Sequence, residues 1–124
     1  PGTRCPEYEN RYVDNRVCTS LLGWRMLFSH TPNTTPADRL GDLNPQRYVT
    51  EGKCDIFCHG HTHTPTINTV ADCLVINPGH LYQYDRRGYD PSYGMLSVTT
   101  NSFRATIYDA VSHQIISTIE RARS

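Results

Sequence analysis

The apolar residues of this chain fall in short runs, each closed by residues that turn the backbone. Trp24 to Ser29, Cys54 to Cys58, Cys73 to Ile76 and Phe103 to Tyr108 are the clearest. Runs of this length between turn signals read as strands, and none is long enough for a membrane-spanning helix. Val17 to Leu22 and Trp24 to Ser29 read as a hairpin joined at Gly23, the second strand alternating only in part and so buried on both faces. Ile67 to Val70 and Cys73 to Ile76 make a second pair around Ala71-Asp72. Tyr93 to Thr99, Phe103 to Tyr108 and Gln114 to Ile119 close the chain, with turns at Asn101 and Ser112-His113. One helix is expected from Asn44-Pro45 to about Glu51: Asn44 caps, Pro45 takes the favoured first position, and Gly52 stops it. Trp24, Met26 and Phe28 are read as core.

Residues 1–16 are polar and read as loop, ahead of what is otherwise one small domain over 1–124. Twelve basic and twelve acidic residues cancel, which argues against nucleic acid and against an anionic membrane. A hydrophobic content of 37% is low for a compact domain and fits a strand-and-loop chain. No leader pattern is present, and the chain opens at Pro1, as a fragment or a processed product would. Five cysteines without tight spacing point to reduced thiols and a cytoplasmic protein. Asn33-Thr34-Thr35 is a formal glycosylation sequon that carries weight only in a secreted chain.

The strongest chemical signal is Cys58-His59-Gly60-His61-Thr62-His63-Thr64-Pro65, at the exit of an apolar strand. Residues two apart in extended backbone project to one side. His59, His61 and His63 would therefore share one space if the strand geometry persists, with Gly60 allowing close approach or a sharp turn. Imidazoles so placed suit zinc-like metals. Read alone, they could also be surface histidines in a turn. A rival reading takes Cys54, Cys58 and His59 as a structural zinc site, although no second cysteine pair completes it.

Gly60-His61-Thr62-His63-Thr64-Pro65, then a strand pair, then Val75-Ile76-Asn77-Pro78-Gly79, resembles the C-terminal part of calcineurin-like metallophosphoesterases, above all their small bacterial phosphodiesterase branch. Pro91-Ser92-Tyr93-Gly94-Met95-Leu96 and, upstream, Met26-Leu27-Phe28-Ser29-His30 extend the resemblance over residues 17–120. It implies an α/β fold, the C-terminal half of a four-layer αββα sandwich, mostly β-strands with one short helix. It implies hydrolysis of a phosphate ester at a two-ion centre of manganese, iron, zinc or nickel, manganese foremost. His30 and His61 would ligate one ion and His63 the other. Members that keep the fold without catalysis, as protein-interaction scaffolds, are the alternative.

The departures from the family are specific. No Asp-x-His occurs, and Gly41-Asp42 lies after His30 rather than before it. Gly2-Thr3-Arg4-Cys5 stands where a Gly-Asn motif belongs, Thr31 replaces a glycine and His80 a serine. The remaining ligands would then come from an N-terminal half, a partner chain or a homo-oligomer, any of which would also cover the sheet face that half a sandwich leaves open. Arg86 and Arg87, in the loop His80 to Tyr89, and His80 itself are candidates for gripping the phosphate; the same loop also reads as a solvated cover over a sheet edge. Asp55 reads either as a carboxylate orienting a histidine or as a strand end.

Overall fold

The computed structural model describes residues 1–83 and 88–123. Two sheets pack face to face. The larger has five strands in the order β1-β2-β3-β5-β4: β1 Arg16–Leu21, β2 Trp24–Ser29, β3 Ile56–His59, β4 Thr66–Val70 and β5 Cys73–Asn77. The smaller has β6 Ser92–Val98, β7 Ser102–Asp109 and β8 Ile115–Ala122 in sequence order. A single helix, α1 Pro45–Thr50, lies in the β2-to-β3 connection, and a helical turn, Pro6–Glu9, interrupts the polar N-terminal segment. No helix among the described residues is long and apolar enough to cross a membrane.

The two hairpins of the large sheet form where turn chemistry places them. Leu22 (φ 51°) and Gly23 (φ 82°) link β1 to β2, and Ala71 (φ 47°) and Asp72 (φ 64°) link β4 to β5. Paired left-handed residues are the two-residue turn whose twist matches that of the strands. Asn44 caps α1 by accepting the Arg47 N–H, and the chain leaves the helix at Gly52 with φ +71°. Two strands differ from expectation. β3 starts at Ile56 rather than Cys54 and takes in His59. β8 runs on to Ala122, pairing with β7 as far as Ser102, and carries Arg104–Glu120 across the ladder, polar residues that apolar counting misses.

The main core lies between the sheets. Trp24, Met26, Ile56, Leu74 and Ile76 from the large sheet meet Phe103, Ala105 and Ile107 from β7, with Trp24 edge-on to Phe103 at 4.9 Å. Leu27, Phe57 and Cys73 bury on the opposite face with Val49 of α1, so β2 and β3 are buried on both sides at their centres. Phe28, expected in the core, is 39% exposed. Its cross-strand partner is Val17 on the edge strand β1, itself 47% exposed, and the three-stranded sheet does not extend over that corner.

Candidate functional site

In the large sheet β2, β3 and β5 are parallel neighbours, so their C-terminal ends emerge along one edge. That edge is where open α/β sheets present ligand-binding loops. His30 follows β2, His59-Gly60 ends β3 and Asn77 ends β5, and the Gly60 N–H donates to the His30 carbonyl at 2.9 Å.

Strand geometry does not persist past His59. His61 (φ 68°) and His63 (φ 60°) both adopt the left-handed conformation, uncommon outside glycine though more open to His than to most residues. Gly60 itself does not, and a Cβ there would meet only the His30 carbonyl at an ordinary 3.7 Å. The expected alternation of three histidines therefore gives way to a turn. His59 lies apart, its ring 5.2 Å from Phe57 on the α1 side of the sheet. His61 Nδ1 lies 3.2 Å from His30 Nε2. The His63 ring packs on that of His80 at 5.2 Å. His30, His61 and His63 line one cavity of about 550 Å³, which Thr3, Arg4, Cys5 and Tyr82 also border. Burial pushes the His30 imidazole below its usual range and the neighbouring His61 adds to the effect, which favours the neutral, ligating form.

Asn77 holds this turn. It is fully buried; its Nδ2 donates to Thr62 Oγ1 at 2.8 Å and to the Gly60 carbonyl at 3.3 Å, and its Oδ1 accepts the Gly79 N–H at 2.9 Å. Gly79 has φ +91°, and a Cβ there would fall 2.0 Å from Ser92 Oγ, which donates to the Pro78 carbonyl. The Asn-Pro-Gly segment thus ties the end of β5 to both the histidine turn and the start of β6. In the sequence these residues stand only as a family mark. Their turn chemistry was the available signal.

Thr31, which stands where the family has glycine, is buried in a network of its own. Its hydroxyl accepts from Arg16 Nη2 at 3.0 Å and donates to the Asn33 carbonyl at 2.8 Å. The buried Arg16 guanidinium pairs with Asp38 at 3.1 Å, and Asp38 also accepts from the Tyr8 hydroxyl. The loop after His30 is thereby pinned to the N-terminal segment that borders the cavity.

The remaining candidates separate. Both ring nitrogens of His80 are engaged with backbone, Nδ1 accepting the Tyr82 N–H and Nε2 facing the Tyr89 carbonyl at 2.7 Å, so His80 braces the loop it begins. Arg86 and Arg87 lie outside the described residues. Asp55 sits at the opposite end of β3 from the histidines, bonded to Arg25. Burial pushes its carboxyl up, but hydrogen bonds and charge from Arg25 outweigh that and hold it below the usual range. The Cys54–Cys58–His59 zinc site does not form. Cys54 bonds Cys73, Cys58 packs toward the inter-sheet core, and His59 lies on the other face.

The donor set can be tested against a metal. Tetrahedral zinc, bound at about 2.0–2.1 Å, places neighbouring ligand nitrogens roughly 3.3 Å apart. The His30 and His61 nitrogens, hydrogen-bonded to each other at 3.2 Å, have the spacing of two such vertices, and the proton between them would have to leave for both to ligate. Among the described residues no group of three or more His, Cys, Asp or Glu is close enough to hold an ion, and no carboxylate borders the cavity. The pair suits part of a one-ion imidazole site. A carboxylate-bridged two-ion centre does not fit these residues alone.

Comparison with solved structures shows the fold. Vacuolar Protein Sorting 29 from Cryptosporidium parvum is similar with TM-score 0.68 and 21% identity over 96% of this chain and 63% of its own. Zinc-complexed Vps29 from Entamoeba histolytica gives 0.61 and 18% over 89% of this chain and 61% of its own. The phosphoesterase Yfce from E. coli gives 0.59 and 21% over 85% of this chain and 50% of its own. The chain thus spans less than two thirds of the length of each. No curated protein matches significantly. The sequence pattern described as the calcineurin-like phosphoesterase superfamily domain matches residues 4–101. With the two-sheet fold and the histidine turn at its parallel-strand edge, that match makes the chain a member of the calcineurin-like phosphoesterase superfamily.

Proposed function

We propose that the whole protein is a metal-dependent phosphoester hydrolase and that this chain supplies the histidine side of its site. The observation that carries the reading is the 3.2 Å His30–His61 nitrogen pair opening, with His63, on one cavity. His30 and His61 hold one divalent ion, and His63 serves a second where carboxylates complete the centre. An N-terminal segment or a partner chain provides those carboxylates. Imidazole donors alone favour zinc over manganese, which prefers oxygen ligands. Divalent ions at such a site supply polarisation of the phosphate and activation of a water. The chain's own residues do the positioning: Asn77 fixes the His61 turn, Thr31 anchors the segment after His30, and Arg86 and Arg87 grip the phosphate. The test is hydrolysis of bis-p-nitrophenyl phosphate by the full-length protein with zinc or manganese, beside His61→Ala. Metal-dependent turnover lost in the variant supports the reading, and equal turnover in both refutes it.

A second reading is a non-catalytic scaffold. It is favoured by the exposed apolar residues Val17 and Leu21 along the edge strand, with Phe28 beside Val17, and by the similarity to proteins named for vacuolar sorting. Zinc binding without turnover in the full-length protein selects it.

A further inference from the structure

Away from the histidines, the described chain holds one pair of thiols in contact. Cys54 Sγ and Cys73 Sγ lie 3.3 Å apart, both side chains buried. Cys5 and Cys18 are exposed, and Cys58 packs separately toward the inter-sheet core. Cys54 leads into β3 and Cys73 opens β5, its hydrogen-bonded neighbour, with the Leu74 N–H donating to the Asp55 carbonyl at 2.8 Å between them. A disulfide places its sulfurs about 2.05 Å apart, so closure shortens the contact by about 1.3 Å.

The two thiols are unequal. The contact with Cys73 lowers the Cys54 thiol below its usual range and the Arg25 charge adds to this, together outweighing burial. The same contact and burial push Cys73 up. Cys54 is itself buried but follows directly on the exposed turn Gly52-Lys53. Thiolate character and access together decide which cysteine meets an oxidant first.

We propose that Cys54 and Cys73 form an oxidisable dithiol that a peroxide converts to a disulfide linking β3 to β5. The Cys54 thiolate attacks one peroxide oxygen: an S–O bond forms, the O–O bond breaks, and the other oxygen leaves as water after taking a proton. Cys73 then attacks the Cys54 sulfur. The S–S bond forms, the S–O bond breaks, and a second water leaves with the Cys73 proton. Two thiols and one peroxide become one disulfide and two waters. The closed loop contains the whole His59-to-His63 segment, so the cross-link ties together the strands that carry the histidine turn and Asn77. This inference is independent of any metal.

The experiment uses the native chain with its exposed thiols first blocked by iodoacetamide, then treated with hydrogen peroxide and digested without reduction. The expected result is an intact mass lower by about 2 Da and a cross-linked peptide pair holding Cys54 and Cys73, reversed by dithiothreitol. Cys54→Ser abolishes the pair, and the wild-type peptide map stands by itself if that variant folds poorly. Two results would each overturn the proposal: Cys54 and Cys73 recovered as thiols or as sulfinic acids without a link, or a link from either to Cys58.

Discussion

Replacing Asn77 should loosen the histidine turn and the fold together. Its amide makes three hydrogen bonds, two donated to Thr62 and Gly60 and one accepted from Gly79, in a fully buried position. Each is worth about 1 kcal/mol net; the Gly60 carbonyl keeps the Thr62 N–H at 2.8 Å, so the loss is mainly that of the three bonds. Asn77→Ala should therefore lose about 3 kcal/mol, or roughly 12 °C in melting temperature for a domain of this size. Asn77→Asp keeps the shape and the Gly79 acceptor but loses the donated bonds, so it isolates their share. Urea denaturation reads the stability. A zinc titration of the folded variant reads the site, where loss of a residue that orients ligands costs about 10–100-fold in affinity. Loss below about 0.5 kcal/mol with zinc affinity unchanged would refute the reasoning, since solvent would then be satisfying groups that the structure buries.

Four further outcomes follow from the packing and the charges it buries. Gly79→Ala, at φ +91° with its Cβ against Ser92 Oγ, should cost about 3 kcal/mol, and adding Ser92→Gly should recover part of it in thermal melts; no recovery would count against the clash. Asp38→Ala leaves the Arg16 guanidinium buried without its carboxylate and should cost about 3–5 kcal/mol by urea denaturation. Burial raises the Asp38 carboxyl, but the Tyr8 and Arg16 hydrogen bonds outweigh it, so its folded pKa lies below the ordinary 3.8. Its contribution is therefore present above that value and lost as pH falls through the folded pKa, and Asp38→Asn should flatten the acid limb of the stability curve. Burial likewise depresses His30 and His59 from 6.5. Their contribution is present above 6.5 and lost as pH falls below it, which the melting temperature of wild type should follow and that of a His30→Gln, His59→Gln double variant should not.

Local chemistry was legible in the sequence, and long-range placement was not. Gly23, Ala71-Asp72 and Asn44-Pro45 act on the residues beside them, so both hairpins and the helix stand where turn and cap rules put them. The order β1-β2-β3-β5-β4 depends on parallel pairing across long connections, about which apolar runs say nothing. Phe28 reads as core in an apolar run, yet its exposure is decided by how far the second sheet extends. Buried Arg16 runs against the general habit of its residue type, and only its folded-state contacts with Asp38, Ser29, Thr31 and Asn33 explain it. At the site, the motif brought His30 and His61 to attention. Their geometry comes from left-handed backbone at His61 and His63, which strand periodicity could not anticipate, and from Asn77, whose three contacts are reached only in the folded chain.

The most direct test of the central claim is equilibrium dialysis of the full-length protein against zinc, followed by metal analysis, for wild type, His30→Ala and His61→Ala. The account predicts zinc bound by wild type and lost in both variants, with far-ultraviolet circular dichroism unchanged. Equal zinc content in all three would place the metal elsewhere and contradict the assignment of the histidine pair.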